Sequence, residues 1–134
     1  MNALQAYRQT QTHTAAPGEL VLMLYRGAIR FLGAAIEAIE AQNVAEAHDK
    51  LVRAQDIVAN LLETLDVERG GDVAKNLSAI YDFMLRRLVE ANVRKDAAAG
   101  REVQGLLREL LPAWEAAVRE TSAAPKTTPV GATR

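Results

Sequence analysis

Two histidines, a scatter of carboxylates, two serines and no cysteine are what this 134-residue sequence offers for chemistry. His13 lies in a polar opening stretch, and His48 sits in Ala47-His48-Asp49-Lys50. A carboxylate-bridged metal pair in a helical bundle needs Glu-x-x-His from facing helices, and neither histidine stands in such a pair. One exposed histidine on a four-helix bundle can also carry a phosphoryl group for a receiver domain, which makes His48 the candidate of an alternative reading, a histidine phosphotransfer module. Such modules usually place a basic residue and a glycine soon after the histidine, whereas Lys50 is followed by Leu51, Val52 and Arg53. A solvated surface imidazole is the plainer reading. Ser78 and Ser122 have no His/Asp arrangement for a nucleophilic triad. Zero cysteines exclude a disulfide framework, a thiolate nucleophile and a Cys-based zinc site. Glu68 and Asp72, opposed by Arg69 and Lys75, have the spacing of a solvated charged face. No catalytic residue, metal site or cofactor site emerges, and the sequence reads as a binding protein and not an enzyme.

The elements that would position a binding surface are helical. Hydrophobic residues make up 49% of the chain but aromatics only 4%, an Ala/Leu/Val composition of the kind helices favour. Sixteen basic residues against 17 acidic ones give no basic field for a phosphate backbone, which argues against nucleic acid. Leu20 to Ile39 is interrupted by Arg26, Arg30 and Glu37, so no stable membrane insertion is expected. The polar start lacks the apolar core of a secretory signal, and the chain is expected in the cytoplasm.

Punctuation divides the sequence into four helices. The first opens at Pro17, with Glu19 facing the helix dipole, and runs to about Ala41. Asn43 and Glu46 form a capping box for the second, which is expected to end before Gly70-Gly71. Asp72 caps the third, to about Arg94, and Asp96 the fourth, whose stripe is Val103, Leu106, Leu107, Leu110, Leu111, Trp114 and Val118. Pro112 predicts a bend one turn earlier. Short connections imply antiparallel neighbours, hence an all-α, up-down four-helix bundle over 17–120. It is flanked by a mobile N-terminal cap segment, 1–16, and a disordered tail, 121–134.

Two of the helices are too apolar for a single stripe. The first has Leu20 to Tyr25 apolar in succession, extended by Ala28, Ile29, Phe31, Leu32, Ala35 and Ile36. The third has Leu77, Ile80, Tyr81, Phe83, Met84, Leu85, Leu88 and Val89. A stripe about 100° wide suffices for a helix facing its own core. Either these two helices are central, with three neighbours each, or part of the excess is an exposed groove for an amphipathic partner.

Several fragments, in order, resemble the FliS family of flagellar secretion chaperones. They are Tyr7, Thr14-Ala15-Ala16-Pro17-Gly18-Glu19-Leu20, Leu22-Met23-Leu24-Tyr25-Arg26-Gly27-Ala28-Ile29, Ala54-Gln55-Asp56-Ile57-Val58 and Leu65-Asp66. They continue with Gly70-Gly71, Asn76-Leu77, Ile80-Tyr81-Asp82-Phe83-Met84, Leu88, Ala91-Asn92 and Trp114. Two positions depart from the family pattern: Ala16 replaces a small polar cap, at about 1 kcal/mol to the helix start, and Arg26 replaces a frequent Asp beside the wide band. The resemblance implies an antiparallel four-helix bundle that binds the disordered C-terminal segment of flagellin in the cytoplasm, prevents premature polymerisation and delivers it to a flagellar export gate protein. It also implies that the N-terminal segment moves when the partner binds, with Leu4 and Tyr7 as a displaceable cover over the groove. Tyr25 and Tyr81 are candidate ligand contacts or core tyrosines. Leu77, Leu85, Leu88 and Val89 would supply groove surface, and Asp82 would meet a basic group. Asn76 and Asn92, poor residues for a helix interior, would hydrogen-bond a peptide backbone or another helix. Trp114 is assigned to the core.

Overall fold

The computed structural model describes residues 17–123, with the side chains of 18–120. Four helices follow one another: α1 (Pro17–Glu40), α2 (Val44–Glu63), α3 (Val67–Arg94) and α4 (Ala97–Ala123). They close a ring in which α1 packs on α2 and α4, and α3 completes the circuit between α2 and α4. The all-α four-helix reading holds, and no strand occurs among the described residues. The expected cover segment 1–16, with Leu4 and Tyr7, lies outside the described residues, as does 124–134.

The helix starts follow their caps. Asn43 Oδ1 accepts the Glu46 N–H at 3.2 Å, and Asp96 Oδ1 accepts that of Ala98 at 2.9 Å. Glu46 itself turns to Lys50, so only half of the capping box forms. The α1–α2 and α3–α4 connections are tight because Gln42 and Lys95 adopt left-handed conformations, with φ of 62° and 52°. The Asn43 and Asp96 N–H groups then reach back to the carbonyls of Ala38 and Ala91, closing each helix end without a glycine.

The boundary between α2 and α3 differs from the sequence reading. The second helix stops at Glu63, seven residues before the glycine pair, where the Thr64 hydroxyl donates to the Leu61 carbonyl. Asp66, not Asp72, caps the next helix, accepting the Arg69 N–H at 3.1 Å. Gly70-Gly71 still breaks the chain, but inside α3: Gly71 has φ 58° and ψ −138°, which kinks the helix after its first turn. The fourth helix continues through Pro112, which faces solvent.

The core unites all four helices through Leu24, Tyr25, Ala28 and Leu32 of α1, Leu51, Ala54 and Val58 of α2, Tyr81, Met84 and Leu88 of α3, and Val103 and Leu107 of α4. Burying a Leu or Val side chain fully is worth about 1.5–3 kcal/mol relative to leaving it exposed. Asn60 is the polar exception, buried with no partner for Oδ1.

Candidate partner-binding surface

The two wide apolar bands meet different fates. On α1 the width is absorbed by its two neighbours: Leu22, Leu24, Tyr25, Ala28, Leu32, Ala35, Ile36 and Ala38 are all buried. The outlying Phe31 ring is roofed by Lys50 and Arg53 of α2, each 5.7 Å from its centre. Leu20, Val21, Ile29 and Ile39 are partly buried against the core, and α1 leaves no large apolar residue exposed.

On α3 the surplus stays outside. Val67, Val73, Phe83, Val89 and Val93 are the exposed large apolar residues of this helix, with Val73 70% and Val93 78% accessible. Their spacing sorts them into two flanks. Arg87 reaches Glu102 of α4 at 2.6 Å, so Val73 and Ile80, which precede it at seven-residue steps, look toward α4 with Phe83 beside them. The carboxylate of Glu102 raises the Arg87 guanidinium above its ordinary pKa through that hydrogen bond. The opposite flank, toward α2, carries Leu85, Val89 and Val93 at four-residue steps. Val44, 60% exposed, extends it from the start of α2.

A polar link crosses this second flank. Asn92 Nδ2 lies 3.0 Å from His48 Nδ1, and Lys95 Nζ donates to Asn92 Oδ1 at 2.8 Å and to the Asn92 carbonyl at 2.6 Å. Lys95 thus closes the C-terminal end of α3 with a cation. Asn92 forms the inter-helix bond that was one of its two sequence readings. Asn76 is exposed on the α4 side, and Leu77 and Leu85 are partly buried. Asp82 is exposed and paired with Arg86 one turn on, at 3.3 Å.

Three expected contact residues lie elsewhere. Tyr25, Tyr81 and Leu88 are enclosed in the core, so Leu88 supplies packing and not groove surface. The two phenols meet at the bundle centre with oxygens 2.6 Å apart and rings edge to face, and Trp114 Nε1 donates to Tyr25 Oη at 3.0 Å. Burial raises both phenol pKa values, that of Tyr81 further because it also loses its hydrogen bond to Tyr25 on ionising. Trp114 packs against the core, as assigned. Arg26, the charge that departs from the family pattern, pairs with Glu115 of α4 at 2.8 Å and points away from α3. The sequence reading missed Val44 and Val73, isolated valines on charged faces, and Val93, which extends the Leu85/Val89 row to the end of α3. It also missed that His48 touches Asn92.

No cluster of His, Cys, Asp or Glu able to hold a metal occurs among the described residues, and none of their helices is long and apolar enough to cross a membrane. The family model for flagellar protein FliS matches residues 1–121. The chain belongs to the FliS family. FliS is a family of flagellar secretion chaperones, not enzymes. The chain is 38% identical over 118 residues to the flagellar secretion chaperone FliS of Bacillus subtilis, covering 88% of this chain and 87% of that protein. It is 40% identical over 119 residues to the FliS of Salmonella typhimurium, covering 85% and 88%. A crystal structure described as a flagellar chaperone from bacteria has the same fold, with a TM-score of 0.73 at 16% identity over 89% of this chain and 99% of that one. Membership in FliS implies a flagellar export substrate as the binding partner.

Proposed function

We propose that this protein is a cytoplasmic export chaperone that binds the disordered C-terminal region of flagellin along the exposed flanks of α3, prevents its premature polymerisation and assists its delivery to the flagellar export gate. The observation that supports this reading is the uncovered apolar surface of α3, in a chain of a secretion-chaperone family whose other wide helix leaves no large apolar residue exposed. A disordered segment that gains helix on such a surface must bury enough apolar area to offset its own ordering. Leu85, Val89 and Val93 stand at four-residue steps, the spacing at which an amphipathic helix lays its side chains into a groove. Leu77, Asn76 and Asp82 would contribute from the same helix, whereas Tyr25, Tyr81 and Leu88 would act by holding α3 in place. No observation favours phosphotransfer at His48.

Calorimetric titration with a peptide covering the C-terminal helical region of flagellin from the same organism tests the proposal. One-to-one binding with a large negative heat-capacity change is expected. Absence of binding at high peptide concentration would overturn it.

A further inference from the structure

The His48–Asn92–Lys95 chain fixes more than the α2–α3 seam. An ammonium can only donate, so Lys95 holds the carbonyl side of the Asn92 amide toward itself at 2.8 Å. The amide nitrogen is thereby turned to His48 and lies closer to Nδ1, at 3.0 Å, than the amide oxygen does, at 3.3 Å. An amide N–H₂ donates, so Nδ1 is the acceptor in this arrangement and Nε2–H is the ring donor that remains. Among the described residues this is the one side-chain hydrogen bond that joins α2 to α3. It stands amid exposed apolar side chains: Val44 lies one turn before His48, and Val89 and Val93 lie three residues before and one after Asn92. His48 itself is exposed.

From this geometry we infer that His48 is a partner-binding residue, presenting an oriented Nε2–H at the rim of the Val44/Val89/Val93 flank to a hydrogen-bond acceptor of the docked segment. Asn92 and Lys95 are its positioning residues. The inference rests on the proposal that flagellin's C-terminal segment docks on this flank. The acceptor it requires is a backbone carbonyl left open at a helix end, or a side-chain carboxylate or amide, at the point where the partner's apolar stripe passes the α2 N-terminus. Apolar contacts alone leave the segment free to slide by one turn along the flank. A single fixed donor removes that freedom, because only one register satisfies it.

Titration of the full chain with the flagellin C-terminal peptide, comparing Val89→Asp, His48→Ala, His48→Gln and Asn92→Asp, tests this. Thermal unfolding of each variant serves as the folding control. Val89→Asp is expected to weaken binding at least tenfold. His48→Ala should weaken it about five- to tenfold, and His48→Gln, which keeps an N–H near the Nε2 position, should stay within about twofold of the parent. Asn92→Asp replaces the donor facing Nδ1 by an acceptor. The imidazole ¹⁵N spectrum of the free protein should then lose the pattern of an unprotonated Nδ1. If Val89→Asp weakens binding and His48→Ala does not, the donor inference is overturned while the docking surface stands. If Val89→Asp has no effect, the docking surface itself is overturned. An imidazole already protonated on Nδ1 in the parent at neutral pH would also overturn the inference.

Discussion

Removing the hydroxyl of Tyr25 or of Tyr81 distinguishes a core role from a partner-contact role, because the two positions are chemically unequal. Tyr25 Oη is the hub: it bonds the Tyr81 hydroxyl at 2.6 Å and accepts from Trp114 Nε1 at 3.0 Å. Tyr81→Phe deletes one of these bonds and leaves Tyr25 with Trp114, so the cost is that of one buried hydrogen bond, about 1 kcal/mol. Tyr25→Phe strands both the Tyr81 hydroxyl, in a fully buried setting, and the indole N–H. At roughly 1–3 kcal/mol per unsatisfied buried group, it should cost about 2–4 kcal/mol. The double variant should cost no more than Tyr25→Phe alone, since replacing Tyr81 then removes an orphaned group, a non-additivity of about 1 kcal/mol or more. Urea unfolding followed by far-ultraviolet circular dichroism measures all three. About 1 kcal/mol corresponds to roughly 4–8 °C in the melting temperature of a domain of this order of size. Flagellin-peptide affinity, measured where every variant is folded, should change less than about twofold. Additive stability losses, or a Tyr81→Phe protein of parental stability that has lost peptide binding, would refute the reasoning.

The same phenols give a pH signature. Their pKa values are raised in the folded state by burial, so their contribution to stability is complete below the ordinary phenol value near 10 and is lost as pH rises beyond it. Absorbance at 295 nm should show that ionisation of Tyr25 and Tyr81 coincides with alkaline unfolding. Leu88→Ala, at a fully buried position, should destabilise the bundle by about 2–5 kcal/mol in urea titration. Gly71→Ala forces a Cβ into φ 58°, ψ −138° and should cost about 1–3 kcal/mol. Gly105→Ala, in a helix with open space around the new methyl, should instead raise the melting temperature, by about 0.5–1 kcal/mol equivalent.

Much of the frame was legible because local chemistry and global packing agree. Asn43 and Asp96 cap the helices they were expected to cap, and Pro17 begins α1. The α2 end departs from the glycine stop signal because Thr64 and Asp66 end one helix and start the next before the glycines arrive. The tight turns at Gln42 and Lys95 carry no glycine either, and their left-handed conformations are paid for by the backbone bonds they complete. On the binding surface, periodicity registers how apolar a helix is but not which neighbours consume that surface. It therefore ranked α1 and α3 alike, although both have two neighbours and only α3 leaves large apolar side chains exposed. Tyr81, Met84 and Leu88 read the same as Phe83, Leu85 and Val89 in sequence; the direction of α2 and α4 separates them. The His48–Asn92 contact links positions 44 residues apart, which only the antiparallel pairing of α2 and α3 brings together.

Methyl-labelled NMR spectra recorded while flagellin's C-terminal peptide is added would test most directly whether α3 is the docking surface. The account requires the largest changes at Val89, Val93 and Val44, smaller ones at Leu85 and Leu77, and little at the buried Val103 and Leu107. Perturbations concentrated on the seam between α1 and α4, with the α3 valines unmoved, would contradict it.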